Sequence, residues 1–221
     1  MNASDVLWQY REAFARGFFV TLELVVLAGL IGTFVGFLLE WLCSLFEGPV
    51  RAGVDGVAFA VSAIPALVIL FWLYYPAQSL LGVSVSPFLT ALAALTLIAT
   101  FSVYRIIADA RRDFPQQYVT TALVLGLNKA QILRYIQMPL LIRAALPRWV
   151  DLLVVLLQTS VFASLISVEE VFRVSQRINS VIYRPVIIYS AMAVLFLVAA
   201  GSGMYLAKYL RARFHRDFSE R

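Results

Sequence analysis

The sequence predicts an all-α membrane protein: one bundle of five transmembrane helices, N-out and C-in, with a cytoplasmic helix-turn-helix loop. Three observations carry that expectation. The first is composition. Of 221 residues, 62% are apolar and 14% charged, against about 25% charged in an ordinary soluble domain. Mean hydropathy is +0.84, and a globule of this size cannot hide so much apolar surface from water. That excludes a soluble enzyme, a disordered chain and a nucleic-acid-binding domain. The second is spacing: five apolar runs reach the length of about 20 residues that a spanning helix needs. The third is the placement of positive charge. With the N-terminus outside, thirteen Lys and Arg fall on the cytoplasmic side and five on the other, as the positive-inside rule requires.

The runs cover residues 17–46, 54–81, 87–108, 149–171 and 185–210, and the chain reads as a single domain, 1–221. Arg11 and Arg16 precede the first run as in a signal peptide, but the run is too long and lacks a small-residue cleavage site. Gly29, Gly32 and Gly36 in that run form a small-residue face for close helix packing, or are glycines that a membrane helix tolerates. The single cysteine, Cys43, cannot form an internal disulfide. The link between runs two and three, residues 75–86, carries no charge. The net charge is +5, and its distribution over the loops matters more than its sum.

One stretch has ordinary soluble composition, residues 109–148, and its core is the loop 113–139. Pro115 suits a helix first turn, and a short helix follows over residues 118–125. Gly126 stops that helix in the left-handed conformation common after a last turn. Asn128 caps a second helix, with Gln131 placed for a capping box, and Pro139 ends it. A helix, a tight glycine turn and a second helix at the membrane surface make either a docking element or an amphipathic hairpin lying on headgroups.

This loop resembles the "EAA" loop of ABC-importer permeases, whose pattern is E-A-A, three residues, G, nine residues, I-x-L-P. Here the frame reads Thr120-Thr121-Ala122, Gly126, and Ile136-Gln137-Met138-Pro139. Thr120 stands for the family Glu, Thr121 for the first Ala and Met138 for Leu. The similarity extends to residues 142–185 and 17–36, which resemble permeases of the polar amino acid uptake family (histidine, glutamine and arginine type). The chain departs from that family at three places. Val61-Ser62-Ala63-Ile64-Pro65 stands where F-R-G-T-P is common, with the proline kept. Ser102 and Arg105 stand where a Tyr and a Glu are usual, and Gln158-Thr159-Ser160-Val161 where Lys-Asp-Thr-Ser is common.

The resemblance implies a permease subunit of an ATP-driven importer for a small polar solute, an amino acid or relative, in the bacterial cytoplasmic membrane. The chain has no Gly-x-x-x-x-Gly-Lys-Ser/Thr phosphate loop, so ATP hydrolysis falls to a partner and no cofactor is expected. The implied partners are a cytoplasmic ATPase, a second permease subunit, identical or related, an extracytoplasmic solute-binding protein and membrane lipid. No nucleic acid is expected. The ATPase would be coupled through Thr120, Thr121, Ala122, Gly126, Ile136 and Pro139. Competing readings are a non-transporting scaffold that anchors an ATPase, and a channel or secondary transporter.

Polar residues inside spans are expensive and default to function. Gln158, Thr159, Ser160 and Glu23 are therefore the candidate solute pathway. Thr159 and Ser160 can instead bond back to their own helix, and Glu23 can fill a structural role facing the bundle. Glu40 sits where a carboxylate reaches the interface or a nearby Arg. Glu169, Glu170, Arg173 and Arg177 at the outer mouth are either an i, i+4 ion-pair face or the contact for a solute-binding protein. His215 lies in a basic tail facing water or headgroups.

Overall fold

The computed structural model describes residues 8–46 and 48–219, with side chains described through residue 214. Among the described residues every regular element is helical. In chain order they are α1 (Arg11–Leu45), α2 (Pro49–Ala63), α3 (Ala66–Tyr74), α4 (Pro76–Leu81), α5 (Pro87–Arg112), α6 (Gln116–Val124), α7 (Lys129–Ile132), α8 (Met138–Thr159), α9 (Val171–Ile182) and α10 (Pro185–Ser219). Helices α1, α5, α10 and the continuous run Lys129–Ile166 are each long and apolar enough to cross a membrane. The pair α2 and α3–α4 passes that test as one bent span, so there are four spans or five.

The second span is not the continuous helix expected over residues 54–81. It bends by 98° between Ala63 and Ala66. The cause is local. Pro65 has no N–H to give to the Val61 carbonyl, and its ring pushes Ile64 out of the helical region, to φ −82° and ψ 128°.

The fourth span also departs from the expected 149–171. Its helix starts at Lys129 and runs to Ile166 without a break. Pro139 does not end the second loop helix. A π-helical turn over Leu133–Gln137 precedes it, and the Met138 N–H donates to the Leu133 carbonyl, five residues back. That register places Pro139 in the first turn of α8, where its missing N–H does no harm. At the other end α8 tightens into a 3₁₀ segment, Ser160–Ile166, and stops at Ser167 with φ 69°.

Lipid offers no hydrophobic drive for one helix to pack on another, so close van der Waals fit must hold the bundle. The fit is tightest between α1 and α5. A Cβ added at Gly32 would collide with the Ala99 Cβ, and one at Gly36 would lie 2.5 Å from the Thr100 carbonyl oxygen. The small face of α1 is thus a packing face. Leu24, Ala28, Ala91, Ala99 and Leu156 are fully buried around it. Gly203 gives α10 a similar approach to Val154 of α8.

At the loop end, ion pairs tie the spans together. Glu40, 3% exposed, receives a hydrogen bond from Arg111 at 2.8 Å and has Arg51 at 3.5 Å. Arg148 lies 3.9 Å from Asp109 and 4.0 Å from Asp113, and Arg211 pairs with Asp151 at 2.8 Å. At the opposite end α9 lies across the start of α1, with Val174, Ile178 and Ile188 packed on Tyr10, Ala13 and Phe14.

Candidate functional site

The loop is built as a rigid lever. Helix α6 ends in a Schellman turn: the Gly126 N–H donates to the Leu123 carbonyl and the Leu127 N–H to the Ala122 carbonyl, both at 3.0 Å. Gly126 takes φ 83°, the left-handed conformation that the spacing predicts. The Asn128 side chain accepts from the Gln131 N–H, and the Gln131 side chain accepts from the Asn128 N–H, both at 2.9 Å. That capping box starts a helix that continues into a membrane span. The second loop helix and the fourth span are therefore one continuous helical run.

Of the loop residues marked in the sequence, Ala122 is buried, Ile136 half-buried, and Thr121, Gly126 and Pro139 exposed. Thr120 is exposed and its hydroxyl donates back to the Gln116 carbonyl at 3.2 Å. Sequence reasoning missed the tip. Val124 is 82% exposed and Leu125 73%, beside the exposed Leu123. The available signal was an apolar triplet immediately before a turn glycine on a surface helix. A cavity of about 1040 Å³ lies behind the loop, lined by α1, α5 and α8 and by Glu40, Arg111, Arg134 and Gln137.

The candidate pathway residues do not meet in one cluster. Thr159 and Ser160 hydroxyls donate to the Val155 and Leu157 carbonyls, each at 2.7 Å, so both are satisfied by their own helix. Ser160 is fully buried, at the switch from α-helix to 3₁₀. Gln158 points out of the chain, as does Glu23 on α1. Glu23 therefore does not face this chain's bundle.

What sequence reasoning missed is the bend. Residues 62–65 are exposed, and among the described residues the carbonyls of Val61, Ser62, Ala63 and Ile64 and the N–H groups of Ala66 and Leu67 accept or donate no backbone hydrogen bond. Ala66 shares a cleft with Ile98 of α5 and with Thr159 and Phe162 of the fourth span. Arg105 of α5 reaches over and donates from Nη1 to the Ser62 hydroxyl at 3.1 Å. The Ser62 hydroxyl in turn donates to the Ala58 carbonyl at 2.8 Å. Nearby, the Tyr104 hydroxyl donates to Asp55 at 2.7 Å. Pro65, kept from the family pattern, was the signal that could have revealed the bend.

The expected i, i+4 ion-pair face at the far end is corrected. Glu169 lies before α9 begins, so it is not a helical neighbour of Arg173. It pairs with Arg177 at 2.9 Å, eight positions on. Glu170 is fully buried and caps α9, accepting from the Phe172 N–H at 2.9 Å and the Arg173 N–H at 2.7 Å. Thr21 of α1 donates to Glu170 at 3.4 Å and accepts from the Val171 N–H at 3.2 Å. Burial pushes the Glu170 carboxyl up to about 7, against the lowering effect of those hydrogen bonds. Glu170 thus pins α9 to α1 and is not a surface for a partner. Arg173 is half-buried and Arg177 exposed. His215 lies outside the described side chains.

Comparison with known proteins agrees with this architecture. The chain is 26% identical over 207 residues to the octopine transport system permease protein OccM of Rhizobium radiobacter, covering 87% of this chain and 82% of the relative. It is 29% identical over 105 residues to the histidine/lysine/arginine/ornithine transport system permease protein HisM of Salmonella typhimurium, covering 48% and 45%. Its fold matches a chain in the crystal structure of an amino acid ABC transporter with histidines, with TM-score 0.84 at 24% identity over 94% of this chain and 96% of that one. It also matches a chain of the inward-facing MetNI methionine ABC transporter, with TM-score 0.75 at 16% identity over 92% and 97%. Residues 19–216 match the family described as binding-protein-dependent transport system inner membrane component. With that match, the spans and the loop, the chain belongs to the family of inner-membrane permease components of binding-protein-dependent transport systems.

Proposed function

We propose that this chain is the permease subunit of an ATP-driven importer that moves a small polar solute, an amino acid or a relative such as octopine, into the cytoplasm. The loop carries the reading. Its tip exposes Val124 and Leu125, which none of the described residues covers, and its second helix is continuous with the fourth span. An apolar tip on a rigid lever fits a socket on a partner that changes shape. Such a partner shifts a two-state permease through contacts that differ between the states. The printed functions of OccM and HisM support an amino-acid-like solute.

The partners follow from what this chain leaves open. A cytoplasmic ATPase takes the loop. A second permease subunit, identical or related, covers the bend of the second span, where unpaired backbone cannot face lipid. A solute-binding protein delivers at the far end, where Glu169 and Arg177 remain exposed. The N-terminus lies outside and the C-terminus inside, which puts the loop on the cytoplasmic face.

Reconstitution into liposomes with the ATPase and binding protein tests the reading. Uptake of labelled octopine, arginine or glutamine that requires ATP inside the vesicle supports it. ATPase attachment without any uptake favours the scaffold, and uptake without ATP favours a channel or secondary transporter.

A further inference from the structure

The bend in the second span and Arg105 belong together. A helix that opens at membrane depth leaves polar backbone that lipid cannot satisfy, so such a break must be covered by protein or line a water-filled cavity. Here the unpaired carbonyls of Val61–Ile64 and the unpaired N–H groups of Ala66 and Leu67 share one place with a guanidinium. Arg105 lies about 9 Å deeper along α5 than Arg111, at 1.5 Å per residue.

Its pairing differs from that of four cations at the loop end. Arg51 and Arg111 share Glu40, Arg148 sits between Asp109 and Asp113, and Arg211 holds Asp151. Among the described residues, Arg105 has no carboxylate within 4.0 Å, and its one hydrogen bond is to a neutral hydroxyl. Asp55, the acidic residue of α2, is engaged by Tyr104. A guanidinium carries five donors in a fixed fork, so most of them remain open. The bond to Ser62 holds the side chain at the bend. Ile98, Ser102 and Arg105 fall at i, i+4 and i+7 on one face of α5. Ile98 lines a gap of about 10 Å³ with Ala66, Thr159 and Phe162, so this face of α5 adjoins both the bend and the fourth span.

We infer that Arg105, positioned by Ser62, is the residue of the solute route that binds the carboxylate of an amino-acid solute. The planar fork of Arg105 matches a carboxylate bidentately. The free carbonyls at the end of α2 accept the ammonium group, as unwound backbone in transporters accepts cations. The inference rests on the permease reading and adds the charge of the solute at this point: a fixed cation favours neutral zwitterionic and acidic amino acids over basic ones.

The test uses the full complex in liposomes, with labelled glutamate, glutamine and arginine as a charge series and octopine as a fourth probe. Arg105→Gln raises KM for the transported solute by about ten- to a hundredfold, the loss of one charge-assisted contact. Assembly with the ATPase stays as in wild type. Arg105→Lys restores part of the loss, because charge returns without the fork. Ser62→Ala, which removes only the positioning hydroxyl, gives a smaller rise in KM at unchanged maximal rate. Wild-type uptake with an unaltered KM in both Arg105 variants overturns the inference alone and makes Arg105 a headgroup residue. A marked preference of the wild type for arginine overturns it too. Failure of the wild type to take up any probe with ATP overturns the permease reading and this inference with it.

Discussion

Two glycines show how the same residue type is required for opposite reasons. Gly36 is needed for space: an added Cβ meets the Thr100 oxygen at 2.5 Å and the Val103 Cβ at 2.9 Å. Gly36→Val should destabilise the bundle by about 1–3 kcal/mol, the usual penalty of overpacking, read as a lower unfolding temperature in detergent. Gly126 is needed for conformation: nothing lies within 4 Å of an added Cβ, but φ is 83°. Gly126→Arg should cost about 1 kcal/mol locally and leave the spans inserted, while ATPase attachment or coupling weakens. Normal attachment and uptake in Gly126→Arg would remove the loop turn from the mechanism. Glu170 adds a pH dependence. Folding raises its carboxyl from 4.5 to about 7, because burial disfavours the charge. Its contribution to stability is therefore complete below about pH 4.5 and lost as pH rises through about 7. Unfolding temperature should fall across that window, and Glu170→Gln should flatten the fall. Local signals of this kind were partly legible. The glycine stop and the capping box were readable because each needs only neighbouring residues. Glu170 was read with Glu169 as surface charge, because its burial depends on Thr21, 149 positions away.

At the scale of elements, three prolines gave three outcomes. Pro65 bends a span, Pro139 follows a π turn in the first turn of α8, and Pro147 sits buried inside α8. Hydropathy sees length and apolarity but not direction, so residues 54–81 read as a straight span although their axis turns by 98°. Pro139 read as a stop because a proline in a helix interior usually removes a bond; the π turn before it shifts the register and spares that bond. The first, third and fifth spans needed no such information and stand close to where their apolar runs place them. Pro65→Ala tests the bend. Alanine restores an N–H that can reach the Val61 carbonyl, and a continuous helix then removes the unpaired groups from the route. Uptake should fall severalfold while insertion and expression hold. Unchanged uptake would mean that the bend serves packing only.

Across the described residues, most of the ion pairs gather at the end that carries the loop, and α9 closes the opposite end, where Glu169 pairs with Arg177. The thirteen-to-five split of Lys and Arg predicts that the loop end faces the cytoplasm. A reporter active only in the cytoplasm should signal when fused after Arg221 and stay silent when inserted near Ser84. The reverse pattern would invert the chain and separate the loop from any cytoplasmic partner. The fold class was legible because lipid restricts the choice to helices. The solute route was not, because Gln158 and Glu23 point out of the chain and form no cluster with Thr159 and Ser160 within it. The central claim is that the loop passes the force of an ATPase to the membrane route. Val124→Asp with Leu125→Asp puts two charges on the apolar tip without touching a span. Co-purification of the ATPase, measured with uptake in the same preparation, tests the claim most directly. ATPase recovery and ATP-driven uptake should fall together, by about tenfold or more, as when a buried apolar anchor is lost from an interface, while the permease remains inserted. Full recovery of the ATPase with undiminished uptake would contradict it.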